Sequence, residues 1–199
     1  QSGKKILFVA TKKQAKDIVA EYSKKVNMPY VTERWFGGLL TNFATIRKAV
    51  RKMSSIDKMM TDPSFSNISK RERLQIARER AKLEKNLGSI ADLNKLPAAI
   101  FVVDIIKEKI AIAEAKKLDI YTFAIVDTNG DPNQVNFPIP GNDDASKSIA
   151  LIISKMTEAI EEGLKQRKLD RDKIEEEKME NSEDSEFDKS DIEHLEEDE

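Results

Sequence analysis

Residues 34–42 read Arg-Trp-Phe-Gly-Gly-Leu-Leu-Thr-Asn and lie where a strand-rich pattern gives way to a long, charged helical pattern. The stretch contains the only tryptophan of the chain and two of its seven glycines. Because Gly37 and Gly38 lack a Cβ atom, they can take a positive φ or let another backbone approach closely. Thr41 or Asn42 can then cap the helix that follows. The stretch therefore predicts a tight corner between the two patterns.

Two interpretations of this corner fit its residue types. In the first, the apolar side chains plug the base of an inserted helical arm; they are Trp35, Phe36, Leu39 and Leu40. In the second, Arg34 and the exposed backbone of the two glycines contact a phosphate-bearing partner. Both interpretations can hold at once, and the residue types alone leave them open.

Apolar runs alternate with helical patterns on both sides of the corner. The apolar runs lie at residues 4–10, 28–32, 96–104, 120–127 and 135–139, and the helical patterns at residues 11–25, 107–118 and 143–164. This alternation is typical of a parallel sheet covered by helices on both faces. Right-handed crossovers make a doubly wound α/β domain the default topology. In the helix at 107–118 we expect Ile110, Ile112, Ala113 and Ala115 to face the sheet.

The turn after the first apolar run reads Thr-Lys-Lys-Gln at residues 11–14 and contains no glycine. Dinucleotide-binding and Walker-type folds need glycines at this point so that the backbone can approach phosphate. We therefore exclude both nucleotide-binding classes. Thr11 with Gln14 three residues later is a capping-box pattern, which predicts that a helix begins here.

Residues 41–88 interrupt the alternation with two charged helical patterns. Apolar side chains recur every three or four residues on each side of a break at residues 62–64. Ser69 with Glu72 is a second capping box that restarts the helix, and Gly88 is placed to end it. The segment predicts an antiparallel helical hairpin, a coiled coil that projects from the α/β domain.

Charge divides the chain into a basic body and an acidic tail. Residues 170–199 hold 16 of the 36 acidic and 4 of the 34 basic side chains, a net charge of −12, which leaves +10 on residues 1–169. A basic body attracts polyanions, chiefly nucleic acid, through the release of counterions. The tail has few apolar side chains to offset the cost of ordering, so we expect it to be disordered. The predicted parts are an α/β domain at residues 1–40 and 89–165, the inserted hairpin at 41–88 and the tail at 166–199.

Several function classes are excluded by composition. The sequence has no apolar run long enough to span a membrane, and its first residues do not form a signal-peptide pattern. The absence of cysteine excludes disulfides and thiolate sites, and it agrees with a reducing compartment. We therefore expect a cytoplasmic protein that contacts no membrane.

Basic side chains concentrate on the predicted hairpin. Arg47, Lys48, Arg51 and Lys52 form two pairs at i,i+4 on one side of its first arm. Like charges at this spacing cost a few tenths of a kcal/mol each in an isolated helix. A phosphate-bearing partner would neutralise them, although a solvated coiled-coil surface has the same pattern.

The carboxyl ends of the predicted strands suggest an alternative, enzymatic function. The aspartates expected there are Asp104, Asp127, Asp131, Asp143 and Asp144. Open α/β sheets place their sites at this edge, and clustered carboxylates can hold Mg²⁺. We favour helix capping and turns as the role of these aspartates. The only histidine lies in the acidic tail, so acid–base and nucleophilic catalysis lack their usual groups.

A third hypothesis is a scaffold whose hairpin binds another coiled coil.

Five strings that occur in order carry a family resemblance. They are the string at residues 34–42, Leu-Glu-Lys-Asn-Leu-Gly at 83–88, Leu-Pro-Ala-Ala-Ile-Phe-Val-Val-Asp at 96–104, Asp-Thr-Asn-Gly-Asp-Pro at 127–132 and Ile-Pro-Gly-Asn-Asp-Asp at 139–144. Together they resemble the bacterial S-two family of small ribosomal subunit proteins. The resemblance implies a flavodoxin-like domain with a protruding hairpin, on the solvent side of the small subunit near the head-body junction. It also implies contact with 16S rRNA and help in docking ribosomal protein one for translation initiation.

From the residues and the resemblance together we expect a non-catalytic, ribosome-bound protein without a cofactor, metal or small-molecule substrate. Its expected partners are 16S rRNA and neighbouring small-subunit proteins, especially ribosomal protein one. The expected rRNA contacts are Lys12, Lys13, Arg34, Trp35, Gly37, Gly38, Thr41, Asn42, Arg47, Lys48, Arg51 and Lys52. The family that the chain resembles has a Gly-Thr-Lys turn where this chain has Ala10-Thr11-Lys12. It also implies an aromatic and basic N-terminal segment, which we expect this chain to lack.

Overall fold

Five parallel strands form a sheet in the order β2-β1-β3-β4-β5. The strands are β1 (Ile6–Val9), β2 (Tyr30–Val31), β3 (Ala99–Val103), β4 (Tyr121–Val126) and β5 (Phe137–Pro140). The computed structural model describes the backbone of residues 5–196 and the side chains of residues 5–173 except 64 and 66. The strand order is that of flavodoxin-like doubly wound sheets, in which the order reverses between β1 and β3. The fold class predicted from the sequence is therefore confirmed.

The helices follow the strands as the alternation predicts. They are α1 (Lys13–Lys25), α2 (Phe43–Thr61), α3 (Lys70–Leu87), α4 (Lys109–Lys117) and α5 (Ser146–Glu196), with short 3-10 helices at Pro63–Asn67, Gly88–Ile90 and Pro132–Gln134. Contacts divide the chain into two compact units, of which one is Lys4–Thr157 and the other contains the chain from Glu158 onward. Within residues 5–196, no helix is both long enough and apolar enough to cross a membrane.

One face of the sheet carries the larger core. Val9, Val102 and Ala124 are register partners on neighbouring strands, and all three are fully buried. They belong to one cluster with Ala111 and Ala115 of α4, and this cluster also includes the apolar side chains of the corner. The corner at residues 34–42 is therefore attached to the centre of the domain.

The opposite face is lined by aromatic side chains. Phe8, Phe101, Phe123 and Phe137 are register partners across four strands. The ring centroids of Phe8 and Phe101 lie 5.4 Å apart, and those of Phe123 and Phe137 lie 4.5 Å apart. Because alternate residues of a strand point to opposite faces, these rings lie on the side away from α4.

The prediction of the buried face of α4 is partly wrong. Ile112 and Ala115 are buried as expected, but Ile110 is 51% exposed and Ala113 is exposed as well. The fully buried residues are Ala111 and Ala115, whose small side chains let the helix approach the sheet closely. The buried residues Ala111, Ile112 and Ala115 follow helical spacing, and Ile110 and Ala113 lie outside this face.

The inserted segment contains α2 and α3, which contact each other. Lys52 of α2 forms an ion pair with Glu79 of α3, and the Arg80 Nε atom lies 2.8 Å from Asp57 Oδ1. Met53 and Ile56 of α2 are buried. These contacts agree with the predicted antiparallel hairpin, while its projection from the domain as a coiled coil stays a prediction.

Of the two predicted capping boxes, one is confirmed for its serine cap and the other is wrong. The Ser69 hydroxyl accepts a hydrogen bond from the Glu72 amide at 3.3 Å, as the box at the start of α3 requires. Thr11 does not cap α1, whose N-cap is Lys12. Instead, the amide and hydroxyl of Thr11 both donate to the Glu108 carboxylate, 97 residues away. The Glu108 carboxylate has thus taken the place of the Gln14 side chain, which a capping box would provide as acceptor for the Thr11 amide.

The backbone of the acidic tail is helical through Glu196, whereas the disorder expected of residues 166–199 stays a prediction. The last helix was expected to end near residue 164, but α5 is helical through Glu196. The segment is rich in Glu and Lys, which have high helix propensity and so favour a helical backbone. Residues 197–199 lie outside the described range.

Replacing Ser69 with alanine tests the N-cap of α3. We expect Ser69→Ala to lower the free energy of unfolding by about 1 kcal/mol, because the Glu72 amide loses its acceptor. Ser54→Ala in α2 is the matched control, since the Ser54 hydroxyl only bonds the Val50 carbonyl of its own helix at 3.4 Å. Urea unfolding of both variants measures the difference. Equal effects of the two substitutions would contradict the cap.

Candidate nucleic-acid interface

The corner at residues 34–42 connects β2 to α2. Trp35 is 7% exposed, and Leu39 and Leu40 are almost completely buried. The first interpretation of the corner is thus confirmed, because these side chains plug the base of the inserted segment. Of the two glycines, Gly38 takes a positive φ of +88°, where an L side chain is strained.

A buried carboxylate from α4 binds the backbone of the corner. Glu114 Oε1 accepts hydrogen bonds from Trp35 Nε1 at 3.1 Å and from the Gly38 amide at 2.7 Å. Glu114 Oε2 accepts from the Leu40 amide at 2.9 Å, the Thr41 amide at 3.1 Å and the Thr41 hydroxyl at 3.2 Å. Five donors therefore converge on one side chain. We call this set of donors the corner nest.

Glu114 is ionised in the corner nest. Burial opposes its charge, but hydrogen bonds from the Thr41 and Gly38 amides and from Trp35 outweigh burial and hold the pKa of Glu114 below its ordinary value. The amides that the second interpretation offers to a phosphate therefore already bind an anion of the protein itself. A phosphate at the Gly38 amide would have to displace Glu114, whereas Gly37 is exposed and has open space around it.

Asn42 holds the predicted N-cap position of α2 but does not cap it with its side chain. Its amide donates to the Gly38 carbonyl at 2.8 Å, and its Oδ1 accepts from the Thr45 hydroxyl at 2.8 Å. The prediction of a cap is therefore right in position and wrong in mechanism. The backbone bond from Asn42 to Gly38 couples the start of α2 directly to the corner nest.

Lys12 lies in a cluster of aspartates at the carboxyl ends of the strands. Its Nζ atom is 2.6 Å from Asp144 Oδ1, 2.7 Å from Asp143 Oδ1 and 3.4 Å from Asp104 Oδ2. Burial of the Lys12 ammonium opposes its charge, but hydrogen bonds to Asp143 and Asp144 outweigh burial and raise its pKa. Lys12 is therefore a bound counter-ion of these carboxylates.

The position of Lys12 bears on the enzymatic alternative. In flavodoxin-like sheets the ligand crevice lies where the strand order reverses, between the ends of β1 and β3. Lys12 follows β1 and Asp104 follows β3, so their ion pair lies in that crevice. Carboxylate oxygens of Asp127, Asp143 and Asp144 lie within 4.8 Å of one another, but the ammonium of Lys12 already contacts two of these residues.

The remaining aspartates of the predicted cluster have local roles. Asp131 accepts a hydrogen bond from the Asn133 amide at 3.0 Å and so fixes its own turn. Asp127 accepts from the Thr128 amide at 2.7 Å and from the Asp143 amide at 3.3 Å, and these bonds lower its pKa. These contacts are the turn-forming role that we favour from the sequence.

Two of the basic side chains predicted on the hairpin are bound within the protein. Arg47 donates from Nη1 to the carbonyls of Ala91 and Leu93 at 2.8 and 3.2 Å, and from Nη2 to Asn94 Oδ1 at 2.6 Å. It thereby holds the loop that follows α3. Lys52 forms the ion pair with Glu79 described above. Sequence spacing does not reveal either engagement, since both partners are distant along the chain.

Four of the predicted basic contacts are exposed and unpaired. Lys13, Arg34, Lys48 and Arg51 have no hydrogen bond or ion pair to any described residue from their side chains. The structure thus separates the seven cations of the predicted site into three that are bound by protein groups, two of them by carboxylates and Arg47 by neutral oxygens, and four that none of the described residues binds. We call these four the free cations.

Two buried glutamates of the α4 region are absent from the sequence-based site. Glu108 is 3% exposed and binds Thr11, and Glu114 is 8% exposed and binds the corner nest. The available signal is spacing: Glu114 lies three residues after Ala111 and next to Ala115, and therefore on the buried face of the helix. A charged residue on such a face needs partners, which the glycine-containing corner supplies.

Comparison with known proteins gives a family match over most of the chain. A sequence model of the family described as ribosomal protein S2 matches residues 1–163. The small ribosomal subunit protein uS2 of Flavobacterium johnsoniae is 69% identical over 166 residues, which are 83% of this chain and 65% of that protein. The protein of the same name from Phocaeicola vulgatus is 64% identical over 171 residues, which are 86% of this chain and 61% of that protein.

A third relative has a similar identity and covers a similar share of this chain. The small ribosomal subunit protein uS2 of Christiangramia forsetii is 65% identical over 167 residues, which are 84% of this chain and 56% of that protein. The chain therefore spans between 56% and 65% of the lengths of these three relatives. Their names describe a ribosomal component and not an enzyme.

Replacing each glycine of the corner with alanine tests the geometry of the nest. We expect Gly38→Ala to lower the free energy of unfolding by about 1–2 kcal/mol, because its φ is positive. The new Cβ would also lie 3.2 Å from Asn42 Cβ. Gly37→Ala is the control, since nothing lies within 4 Å of its added Cβ. Urea unfolding compares the two, and a loss at Gly37 as large as that at Gly38 would contradict this geometry.

Replacing Lys12 with methionine tests its role as a counter-ion. We expect Lys12→Met to lower the free energy of unfolding by roughly 2–3 kcal/mol, because three carboxylates lose their common partner. Ca²⁺ should then restore part of the stability, since carboxylate oxygens are its preferred ligands. Thermal unfolding with and without Ca²⁺ measures both effects.

The matched control for this experiment is Lys16→Met. Lys16 pairs with the single carboxylate of Glu33 at 3.1 Å and is more exposed than Lys12. Its loss should cost about 0–1 kcal/mol and create no response to Ca²⁺. A Lys12 variant that behaves like the Lys16 variant would show that the cluster does not depend on the ammonium.

Proposed function

Because the chain belongs to the ribosomal protein S2 family, we propose that it is a structural component of the small ribosomal subunit that binds 16S rRNA through phosphate-directed contacts. Its place of action is the ribosome in the cytoplasm, beside other small-subunit proteins. The proposal assigns it no cofactor and no catalytic step.

The pairing of its cations is the observation that carries the RNA-binding part. A cation held by a protein carboxylate must break that contact before it can neutralise a phosphate, whereas an unpaired one need not. The free cations are all exposed, and two of them, Lys48 and Arg51, lie three residues apart on α2. Residues this far apart are neighbours on a helix surface, so the pair offers two charges to one stretch of RNA backbone.

The backbone of the corner contributes to the proposed interface through its shape. Arg34, Gly37 and Asn42 are exposed, while Trp35 beneath them is buried. RNA helices are recognised largely by shape and by contacts to phosphate and sugar, which suits a rigid backbone corner next to unpaired cations. In this proposal Trp35, Gly38 and Thr41 contribute through the fixed form of the corner.

The finer part of the proposal is the docking of ribosomal protein one. Its support is the family resemblance alone. The enzymatic alternative has weaker support, because the Lys12 ammonium lies in the crevice where a metal-dependent site on this fold would be built. The scaffold alternative leaves the free cations without a role.

The salt dependence of binding to 16S rRNA tests the proposal. We expect Arg51→Gln to weaken binding and to reduce the slope of log affinity against log salt by about 1, and Lys48→Gln with Arg51→Gln to reduce it by about 2. Filter binding over a series of KCl concentrations measures the slope. Wild-type protein whose binding does not vary with salt would contradict phosphate-directed contact.

Lys52→Gln is the matched control on the same turn of α2. Lys52 is already paired with Glu79, so its removal should change the slope less than the removal of Arg51 does. Equal slopes for the two single variants would show that pairing does not select the contacts. In that case the observation that carries the proposal would be lost.

A further inference from the structure

The corner nest has the composition of an anion-binding site. Three backbone amides, one indole N–H and one hydroxyl point at the two oxygens of Glu114. An ionised carboxylate has about four lone-pair sites and donates nothing, so it matches a set that consists only of donors. Successive backbone amides around a turn form this kind of concavity for anions in general.

Glu114 is held rigidly where it meets the nest. It belongs to α4, whose Ala111 and Ala115 are fully buried in the main core cluster. The residues that it binds lie 73 to 79 positions earlier in the chain. Glu114 therefore ties a loop that contains two adjacent glycines to the buried core of the domain.

The nest and the proposed RNA contacts share a short piece of chain. Arg34 immediately precedes Trp35, the first donor of the nest. At the other end, Gly38 accepts a hydrogen bond from Asn42, the N-cap residue of α2. The direction in which α2 leaves the corner, and with it the position of Lys48 and Arg51, thus depends on the residues that surround Glu114.

We propose that Glu114 is a positioning residue for RNA binding, whose carboxylate fills the corner nest in place of an external anion and so fixes Arg34 and the start of α2 for contact with RNA. This inference rests on the proposed function. It adds a residue that touches no RNA and assigns the corner donors an internal anion as their ligand.

Chemical rescue of Glu114→Ala tests the inference. Removal of the carboxylate leaves space and five donors, which formate can occupy as a small free carboxylate. We expect the amides of Gly38, Leu40 and Thr41 to lose protection from hydrogen exchange in this variant. The affinity for 16S rRNA should fall about tenfold, comparable to losing one or two phosphate contacts. Formate should restore both properties, relative to chloride at equal ionic strength.

Two further variants separate positioning from general damage. Glu114→Gln keeps the volume of the side chain but removes its charge, so we expect weaker RNA binding that formate does not restore. Glu108→Ala removes the other buried glutamate, which binds Thr11 and none of the corner donors. It should leave the exchange of the corner amides unchanged. If Glu114→Ala does not fold, Glu114→Gln carries the test, through corner amides that exchange faster and an affinity that falls.

The outcomes distinguish this inference from the proposed function. Unprotected corner amides together with an RNA affinity within about twofold of wild type would overturn the positioning role alone. A loss of affinity that formate restores equally in Glu114→Gln, or not at all in Glu114→Ala, would also overturn it. Wild-type protein that does not bind 16S rRNA would overturn the proposed function and this inference with it.

Discussion

The hydrogen bonds between Glu114 and the corner nest join the three parts on which the interface depends. They connect α4, the core face of the sheet and the segment that leads from β2 into α2. A loop with adjacent glycines has high conformational entropy, and burying a carboxylate carries a large desolvation cost. The hydrogen bonds offset both costs, because the loop offers amides that need an acceptor and the carboxylate needs donors.

In the crevice at the carboxyl ends of β1 and β3, groups of the protein again bind a charged side chain of the protein, but here that side chain is a cation. There the cation is Lys12 and the surrounding groups are aspartates. In the described residues, the corner and the crevice are thus both occupied by charged side chains of the protein. This occupation is consistent with a proposed function on the outer surface and not in the crevice.

The sheet could be predicted because the signal is local. Ala99–Val103 is buried at every position, and such a strand reads as a continuous apolar run. The contacts of Glu114 and of Lys12 could not be predicted from the sequence, because their partners lie 73 or more residues away. The orientation of α4 was mispredicted for a related reason. Ile110 is more apolar than Ala111, but Ala111 lies on the face that the long-range packing of α4 buries.

In the proposed function, pairing matters more than basicity in selecting the cations that contact RNA. Arg47 and Arg51 have the same side chain one helical turn apart, yet Arg47 holds three acceptors of the protein while Arg51 holds none among the described residues. A count of positive charges treats the two as equal. Counterion release depends on new contacts with phosphate, so an arginine that already satisfies backbone carbonyls contributes to the fold and not to that term. In the proposed function, the interface therefore consists of the charges that the described part of the fold leaves unpaired.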